Sequence, residues 1–210
     1  MPLWAIVPVK PLRRGKSRLS PVLSEDERTA LNHQLLTNTL RTLSCVNYID
    51  MIMVVSRDPA ALTLARDFGA RTVLENGNPE LNTALRRAAM VAKTQKANEI
   101  LIIPADLPLI TVDEIERFLS RAGNPPEILI CPDRRRDGTN MLYINPAGLI
   151  HFHYGSGSFQ KHMAEAQKSE ARIEVVESEA LGLDLDVPED LDLLYQIQLL
   201  QQQDINSKTG

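Results

Sequence analysis

Three runs of apolar residues constrain the fold of this chain more than any other feature of its sequence. They cover Leu3–Val9, Met51–Ser56 and 100–104, and a polar or proline-containing turn follows each run. Because the runs are continuous rather than alternating, they are typical of strands that are buried on both faces. They therefore predict the centre of a mostly parallel sheet. Shorter strands are predicted at 71–74, 128–131, 141–144 and 173–176.

Helical patterns fill the segments between these strands. Ser24 and Glu27 form a capping-box pattern before leucines that recur at helical spacing from 31 to 43. Further helices are predicted at 59–68, at 79–96 after Asn78, from a capping box at Thr111 and Glu114, and from Asp186 with Pro188 just inside its start. Strands and helices therefore alternate, which predicts an α/β domain with a mostly parallel central sheet flanked by helices.

The length of the chain fits one domain. A chain of 210 residues with 43% hydrophobic residues can bury a full core, so we predict a single domain over 1–200. The glutamine-rich stretch 201–210 is polar, and we expect it to fray rather than to carry function.

Charge and hydropathy limit the partners of the chain. The net charge of −4 gives no general attraction to nucleic acid or to an anionic membrane. The N-terminal apolar run contains Pro8 and ends at Lys10, so it is too short for a signal or membrane-spanning segment. Cys45 and Cys131 lack the spacing of a zinc site or a disulfide framework. We therefore expect a cytoplasmic protein that binds neither nucleic acid nor membrane.

Basic residues crowd the loop that follows the first predicted strand. In VPVKPLRRGKSRLS, five cations occur within nine positions: Lys10, Arg13, Arg14, Lys16 and Arg18. Such a loop, turning at Gly15, can bind a triphosphate and offset the charge that builds on a leaving pyrophosphate. A solvated basic loop is the alternative. We assign a catalytic role to Lys16 and nucleotide binding to Lys10, Arg13, Lys16 and Arg18.

An aspartate follows the third apolar run at a rigid turn. In IIPADLPLI, Asp106 lies between Pro104 and Pro108. Because Mg²⁺ prefers carboxylate and phosphate oxygens, we assign Asp106 as a catalytic residue and metal ligand. The alternative is an aspartate that only caps the turn before the helix at Thr111.

A second acidic segment, LGLDLDVPEDL, precedes the last predicted helix. We expect Asp184 and Asp186 to leave a short strand on opposite faces, so that one reaches the site while the other caps the helix. Asp184 is then expected to hold the metal together with Asp106, with Asp186 as the second candidate. Glu189 and Asp190 are first-turn acids that suit the helix dipole.

Two further loops carry small hydrogen-bond donors. DRRRDGTNML contains Thr139 and Asn140, and HFHYGSGSFQKH presents Gly155 and Ser158 at a predicted helix start. A loop of glycine and serine that leads into a helix offers backbone N–H groups to an anion. The two loops therefore predict the binding of an acceptor substrate, with flexible surface loops as the alternative.

The motifs VPVKPL, GKSRL, PADLPLI, DGTN, YGSGSF and LDLDVPEDL occur together along residues 7–191. This series resembles the 2-phospho-L-lactate guanylyltransferase family, which is similar to the nucleotidyltransferases that attach NMP groups to sugars and to molybdopterin. The resemblance implies a Rossmann-like nucleotidyltransferase domain that uses Mg²⁺. It also implies the transfer of GMP from GTP to phosphoenolpyruvate or 2-phospho-L-lactate, with release of pyrophosphate, in the pathway to coenzyme F(420).

The resemblance also assigns roles to particular residues. One departure concerns the phosphates, because Pro8 and Pro11 stand where sugar nucleotidyltransferases have a glycine-rich loop. Phosphate binding is therefore expected to depend on side-chain cations. The family pattern implies acceptor contacts at Thr139, Gly155 and Ser158, metal ligation by Asp106, and a second metal ligand at Asp184 or Asp186.

Other functions stay open from the sequence. A related enzyme could use another acceptor, such as a sugar phosphate or molybdopterin, and a nucleotide-binding regulator could keep the fold without turnover. The presence of Asp106 and a late carboxylate favours an enzyme over such a regulator. A P-loop GTPase is disfavoured because Lys10 takes the place of the first P-loop glycine. The sequence decides neither which acceptor is used nor whether the chain forms a homodimer.

Overall fold

Seven strands form one sheet in the residues that the computed structural model describes, which are 2–75 and 80–208. Their order across the sheet is β3-β2-β1-β4-β6-β5-β7, and β6 is antiparallel to its neighbours whereas the other pairs are parallel. The predicted α/β class with a mostly parallel sheet is therefore confirmed. The strands are β1 (Leu3–Val9), β2 (Met51–Ser56), β3 (Arg71–Leu74), β4 (Glu99–Ile102), β5 (Glu127–Pro132), β6 (Thr139–Asn145) and β7 (Arg172–Val175).

Helices connect the strands and cover the sheet. Ser24 and Glu27 cap α1 reciprocally, each side chain accepting a hydrogen bond from the other residue's backbone N–H, which confirms the predicted capping box. The predicted helix start at Pro79 after Asn78 lies outside the described residues. Within the described ranges the α-helices are α1 (Glu25–Ser44), α2 (Pro59–Asp67), α3 (Leu81–Thr94), α4 (Val112–Leu119), α5 (Ser158–Lys168), α6 (Glu179–Gly182) and α7 (Pro188–Lys208), and a short 3-10 helix covers Ser17–Leu19.

Strand β1 lies inside the sheet and is buried on both faces. Leu3, Ala5 and Val7 pack in the apolar layer that contains α1, α2 and α4, whereas Trp4 and Ile6 pack in the layer that contains α3 and α5. Because both faces are covered, the strand is continuously apolar. The two layers fix the strand whose carboxyl end leads into the basic loop.

The reversal of β6 decides which residues meet at the carboxyl edge of the parallel strands. Leu142 of β6 pairs with Ile102 near the end of β4, so the first residue of β6, Thr139, lies beyond that end. The loops after β1 and β4 begin at the same edge, because these two strands are parallel neighbours. Ligands bind at this edge in open α/β sheets.

The last helix extends beyond the predicted domain. α7 continues through the polar stretch from Gln201 as far as Lys208. The domain limit at residue 200 and the fraying of the tail stay predictions. In the described ranges, the helices lack the combination of length and hydropathy that crossing a membrane requires.

Candidate active site

A cavity of about 1170 Å³ opens at the carboxyl edge of the sheet. It is lined by the basic loop after β1, the turn after β4, the start of β6, the glycine-serine loop before α5 and the segment between α6 and α7. Arg13 is not among the described lining residues, since its side chain is 73% exposed and donates to Glu25 at 3.2 Å. The predicted residues that do line the cavity are Lys10, Lys16, Arg18, Asp106, Thr139, Gly155, Ser158, Asp184 and Asp186.

The conformation of the basic loop aims Lys16 into the cavity. Its backbone adopts the left-handed conformation with φ of 56°, which costs a non-glycine residue about 1 kcal/mol or more. The preceding Gly15 lies against α1, and a Cβ there would approach Asn32 Nδ2 to 2.6 Å. That same nitrogen donates to the Leu12 carbonyl at 2.7 Å, so helix α1 holds the loop. The Lys16 side chain is only 6% exposed as a result.

Three carboxylates converge on the Lys16 ammonium group. Lys16 Nζ donates to Asp106 Oδ2 at 2.6 Å and to Asp186 Oδ1 at 3.4 Å. Oxygen atoms of Asp106, Asp184 and Asp186 all lie within 4.8 Å of one another. Although burial alone would lower the pKa of Lys16, the nearby Asp106 carboxylate raises it, so the lysine stays charged.

The expectation that Asp184 and Asp186 point to opposite faces is wrong. Residues two apart in an extended segment share a face, and the alternate residues Leu183 and Leu185 are buried in an apolar cluster on the other side. The described sheet does not include this segment, so the predicted short strand is wrong as well. A hydrogen bond of 3.2 Å from the Leu185 N–H to the Asp106 carbonyl joins the two acidic segments.

The cluster of three carboxylates suits a hard cation. The Oδ1 atoms of Asp106 and Asp184 are buried and have no hydrogen-bond partner in the described structure. Burial, followed by the charges of Asp106 and Asp186, raises the pKa of Asp184 to about 6. A divalent cation would bind such unpartnered carboxylate oxygens and offset the repulsion between their charges. The carboxylates predicted as metal ligands therefore lie together, and both late aspartates belong to this cluster.

Asp190 has a role that the sequence analysis missed. Its side chain is 0% exposed and accepts hydrogen bonds at 2.9 Å from the backbone N–H groups of Asp186 and Val187. It also accepts from Arg134 at 2.6 Å and from Arg135 at 2.7 Å. Burial alone would raise the pKa of Asp190, but these bonds lower it. The start of α7 is therefore organised by Asp190, and the prediction that Asp186 caps this helix is wrong.

The two predicted acceptor loops lie together. The Gly157 N–H donates to Asp137 Oδ1 at 3.1 Å, and the Ser158 hydroxyl donates to Thr139 Oγ1 at 3.3 Å. Gly155 has a φ of 120°, a conformation that side chains other than glycine rarely adopt, and a Cβ there would meet open space. Thr139, Gly155 and Ser158 are thus brought to one wall of the cavity.

A buried histidine supports this wall, and the sequence analysis assigned it no role. His162 is 0% exposed on α5, and its Nδ1 lies 3.0 Å from Thr139 Oγ1. Burial, followed by the charge of His153, lowers the pKa of His162 to about 4. In the sequence, its role is indicated only by its position four residues after Ser158, which places both residues on the same face of the predicted helix.

We expect the free energy of unfolding to fall in acid partly because of His162. Its pKa is lower in the folded chain than the ordinary 6.5, so the stabilisation is complete above pH 6.5 and is lost as the pH falls to about 4. The loss amounts to about 3 kcal/mol at most. Urea unfolding at several pH values should show a shallower dependence for His162→Asn than for the wild type. The exposed His151→Asn is the matched control, and equal pH dependence in all three proteins would contradict the assignment.

Sequence comparison finds relatives of this chain over nearly its whole length. Residues 3–200 match the family described as guanylyl transferase CofC like. A phosphoenolpyruvate guanylyltransferase of Rubrobacter xylanophilus is 39% identical over 191 residues, which cover 91% of this chain and 92% of that one. A 2-phospho-L-lactate guanylyltransferase of Methanocaldococcus infernus is 34% identical over 190 residues, which cover 90% and 83%.

The fold is shared more widely than the sequence. A solved nucleotidyl transferase from Methanothermobacter thermautotroptrophicus has a TM-score of 0.67 and 14% identity, with coverage of 95% of this chain and 98% of that one. This likeness confirms the Rossmann-like fold. Because the family match spans nearly the whole chain, the protein belongs to the CofC-like guanylyl transferase family.

Proposed function

We propose that this protein transfers GMP from GTP to phosphoenolpyruvate or 2-phospho-L-lactate, releases pyrophosphate, and so serves the pathway to coenzyme F(420). The family match and the activities for which the two relatives are named support this function. The main structural support is that one cavity is lined both by the three carboxylates with Lys16 and by Thr139 with Ser158. One part of the cavity suits a metal-bound triphosphate, and the other suits a small anionic acceptor.

The basic loop forms the nucleotide side of the proposed site. Lys10, Lys16 and Arg18 line the cavity, and Arg18 lies 3.7 Å from the Asp186 carboxylate. Arg13 binds Glu25 instead, but exposed ion pairs of this kind are worth at most about 1 kcal/mol. Its proposed nucleotide contact therefore requires only that a weak pair be exchanged for a phosphate.

We assign Mg²⁺ to the three carboxylates Asp106, Asp184 and Asp186. A bound Mg²⁺ supplies positive charge to phosphate oxygens and thereby stabilises the charge that develops during transfer. The fit rests on oxygen ligands alone, which is the donor set that hard cations prefer. The buried, unpartnered oxygens of Asp106 and Asp184 support the same assignment.

The proposed reaction needs no covalent intermediate on the protein. A phosphate oxygen of the acceptor attacks the α-phosphorus of GTP and forms a new P–O bond. The bond between the α-phosphorus and the oxygen that bridges the α- and β-phosphates breaks, and pyrophosphate is released. The acceptor phosphate is ionised near neutral pH, so the protein has to provide no general base. Its residues instead position both substrates, and Lys16 offsets charge on the reacting phosphates.

Lys16→Ala is expected to lower kcat/KM for GTP, because a charge held close to the reacting phosphates is lost. The loss of transition-state stabilisation should be roughly 2–4 kcal/mol. Steady-state kinetics with varied GTP measures this effect. Lys168→Ala, which removes a lysine from the exposed end of α5, is the control. A Lys16→Ala protein that follows the wild-type GTP titration would show that this lysine has no part in turnover.

An acceptor panel tests the function itself. The protein is incubated with Mg²⁺ and one of GTP, ATP or CTP, together with phosphoenolpyruvate, 2-phospho-L-lactate or a sugar phosphate. Mass spectrometry of the product and a pyrophosphate assay should both report guanylylation of one of the two phosphorylated acids. Transfer to the sugar phosphate alone, or from another nucleotide alone, would contradict the proposal.

A further inference from the structure

His162 is hydrogen-bonded through both of its ring nitrogens. Its Nε2 lies 2.9 Å from the His153 backbone nitrogen, and its Nδ1 lies 3.0 Å from Thr139 Oγ1. A backbone N–H can only donate, so Nε2 must accept. The single proton of the neutral ring therefore resides on Nδ1, which donates to Thr139. The low pKa that burial gives this ring favours the neutral form.

This tautomer determines what the Thr139 hydroxyl can do. Oγ1 accepts one hydrogen bond from His162 and a second from the Ser158 hydroxyl at 3.3 Å. A hydroxyl oxygen has two lone pairs, so both acceptor positions are taken. What remains is the O–H group itself, and apart from the oxygen of Ser158, which is already the donor of that bond, no acceptor for it is found in the described part of the chain. Because Thr139 lines the cavity, this donor is available to a ligand.

The orientation of the histidine ring is also constrained by an aromatic contact. Tyr154 contacts the ring edge to face, with centroids 4.9 Å apart. Asn82 of α3 holds the Tyr154 backbone, accepting from its N–H at 2.7 Å and donating to its carbonyl at 3.1 Å. The ring is therefore constrained by packing and by both nitrogens, which leaves it little freedom to reverse its donor and acceptor.

We propose that His162 is a positioning residue for the acceptor. By donating to Thr139, His162 leaves the Thr139 hydroxyl to donate to an anionic oxygen of the phosphorylated acid. The proposal rests on the proposed function, because it takes Thr139 to face the acceptor. Phosphate and carboxylate oxygens only accept, so a hydroxyl whose lone pairs are already filled matches them without reorientation. A ligand that presents a donor at this point meets an unfavourable pairing and is disfavoured.

Two amide substitutions separate the functions of the ring nitrogens. The amide of His162→Asn reaches the Nδ1 position and can keep the donor to Thr139, whereas the amide of His162→Gln reaches the Nε2 position and loses it. We expect His162→Gln to raise the acceptor KM about fivefold to tenfold, the worth of one hydrogen bond, with little change in the KM of GTP. His162→Asn should restore the acceptor KM to within about twofold of the wild type. Thermal melts identify any loss of fold.

A double-mutant cycle distinguishes positioning from a merely structural role. In the Thr139→Val background the hydroxyl is gone, so His162→Gln should have no further effect on the acceptor KM. A further rise in that background, or equal increases in the KM values of acceptor and GTP in the single mutant, would overturn the proposal. If Thr139→Val alone leaves the acceptor KM unchanged, the proposal and the acceptor-site assignment both fail. Guanylyl transfer in the acceptor panel would still stand in that case.

Discussion

Asp106→Asn is expected to lower kcat at least about a hundredfold, because it removes one of the carboxylates assigned to the metal. Asp106 is one of three carboxylates that meet within 4.8 Å, and it binds the buried Lys16 ammonium group at 2.6 Å. An amide is a poorer ligand for a hard cation than a carboxylate. Because a bound metal stabilises the transition state by several kcal/mol, and about 1.4 kcal/mol corresponds to tenfold in rate, the loss is large.

The fold should survive this substitution. Asp186 still accepts from Lys16, and removing one negative charge reduces the repulsion that adds to burial in raising the pKa of Asp184. Asp113→Asn, at an exposed position on the first turn of α4, is the matched carboxylate-to-amide control. Turnover by Asp106→Asn equal to that of the wild type at the same Mg²⁺ concentration would contradict the metal assignment.

The same substitution at the late aspartates tests the corrected site. We expect both Asp184→Asn and Asp186→Asn to lower kcat, since both side chains face the cavity. Loss of activity in only one of the two variants would favour the prediction from the sequence that a single late aspartate binds the metal.

Asp190→Ala is expected to lower the free energy of unfolding by about 3 kcal/mol, because two backbone N–H groups and two half-exposed arginines lose their buried acceptor. This carboxylate accepts from two backbone N–H groups at the start of α7 and from Arg134 and Arg135. Without it, buried donors are left unpaired and the segment that carries Asp186 loses its anchor. Urea unfolding near neutral pH measures the loss.

Asp192→Ala provides the control for this effect. Asp192 lies on the same helix, but it is exposed. Its replacement should change stability by no more than about 0.5 kcal/mol. If Asp190→Ala and Asp192→Ala unfold at the same urea concentration, the buried network around Asp190 does not stabilise the chain as described.

The fold was predictable where local chemistry decides it. The continuous apolar run of β1 reflects burial on both faces, and the Ser24 and Glu27 pair reflects backbone donors that any helix start must satisfy. The direction of β6 was not predictable in this way. Its run at 141–144 is apolar on both faces whichever way it pairs, so neither burial nor periodicity distinguishes parallel from antiparallel.

The site was predictable where a residue follows a buried strand. Lys16 and Asp106 come soon after β1 and β4, and the topology brings these two strand ends together. Asp190 and His162 were missed because their roles depend on burial by segments remote in sequence. Asp190 has the pattern of an ordinary first-turn acid, and only the fold places Arg134 and Arg135 beside it.

The transfer of GMP is tested most directly by the fate of labelled phosphates. GTP labelled at the α-phosphate and, separately, at the γ-phosphate is incubated with Mg²⁺ and phosphoenolpyruvate or 2-phospho-L-lactate. Nucleotidyl transfer predicts that the α label appears in the acceptor product and the γ label in pyrophosphate. A γ label in the acceptor, or an α label released only as free GMP at a rate independent of the acceptor, would contradict it.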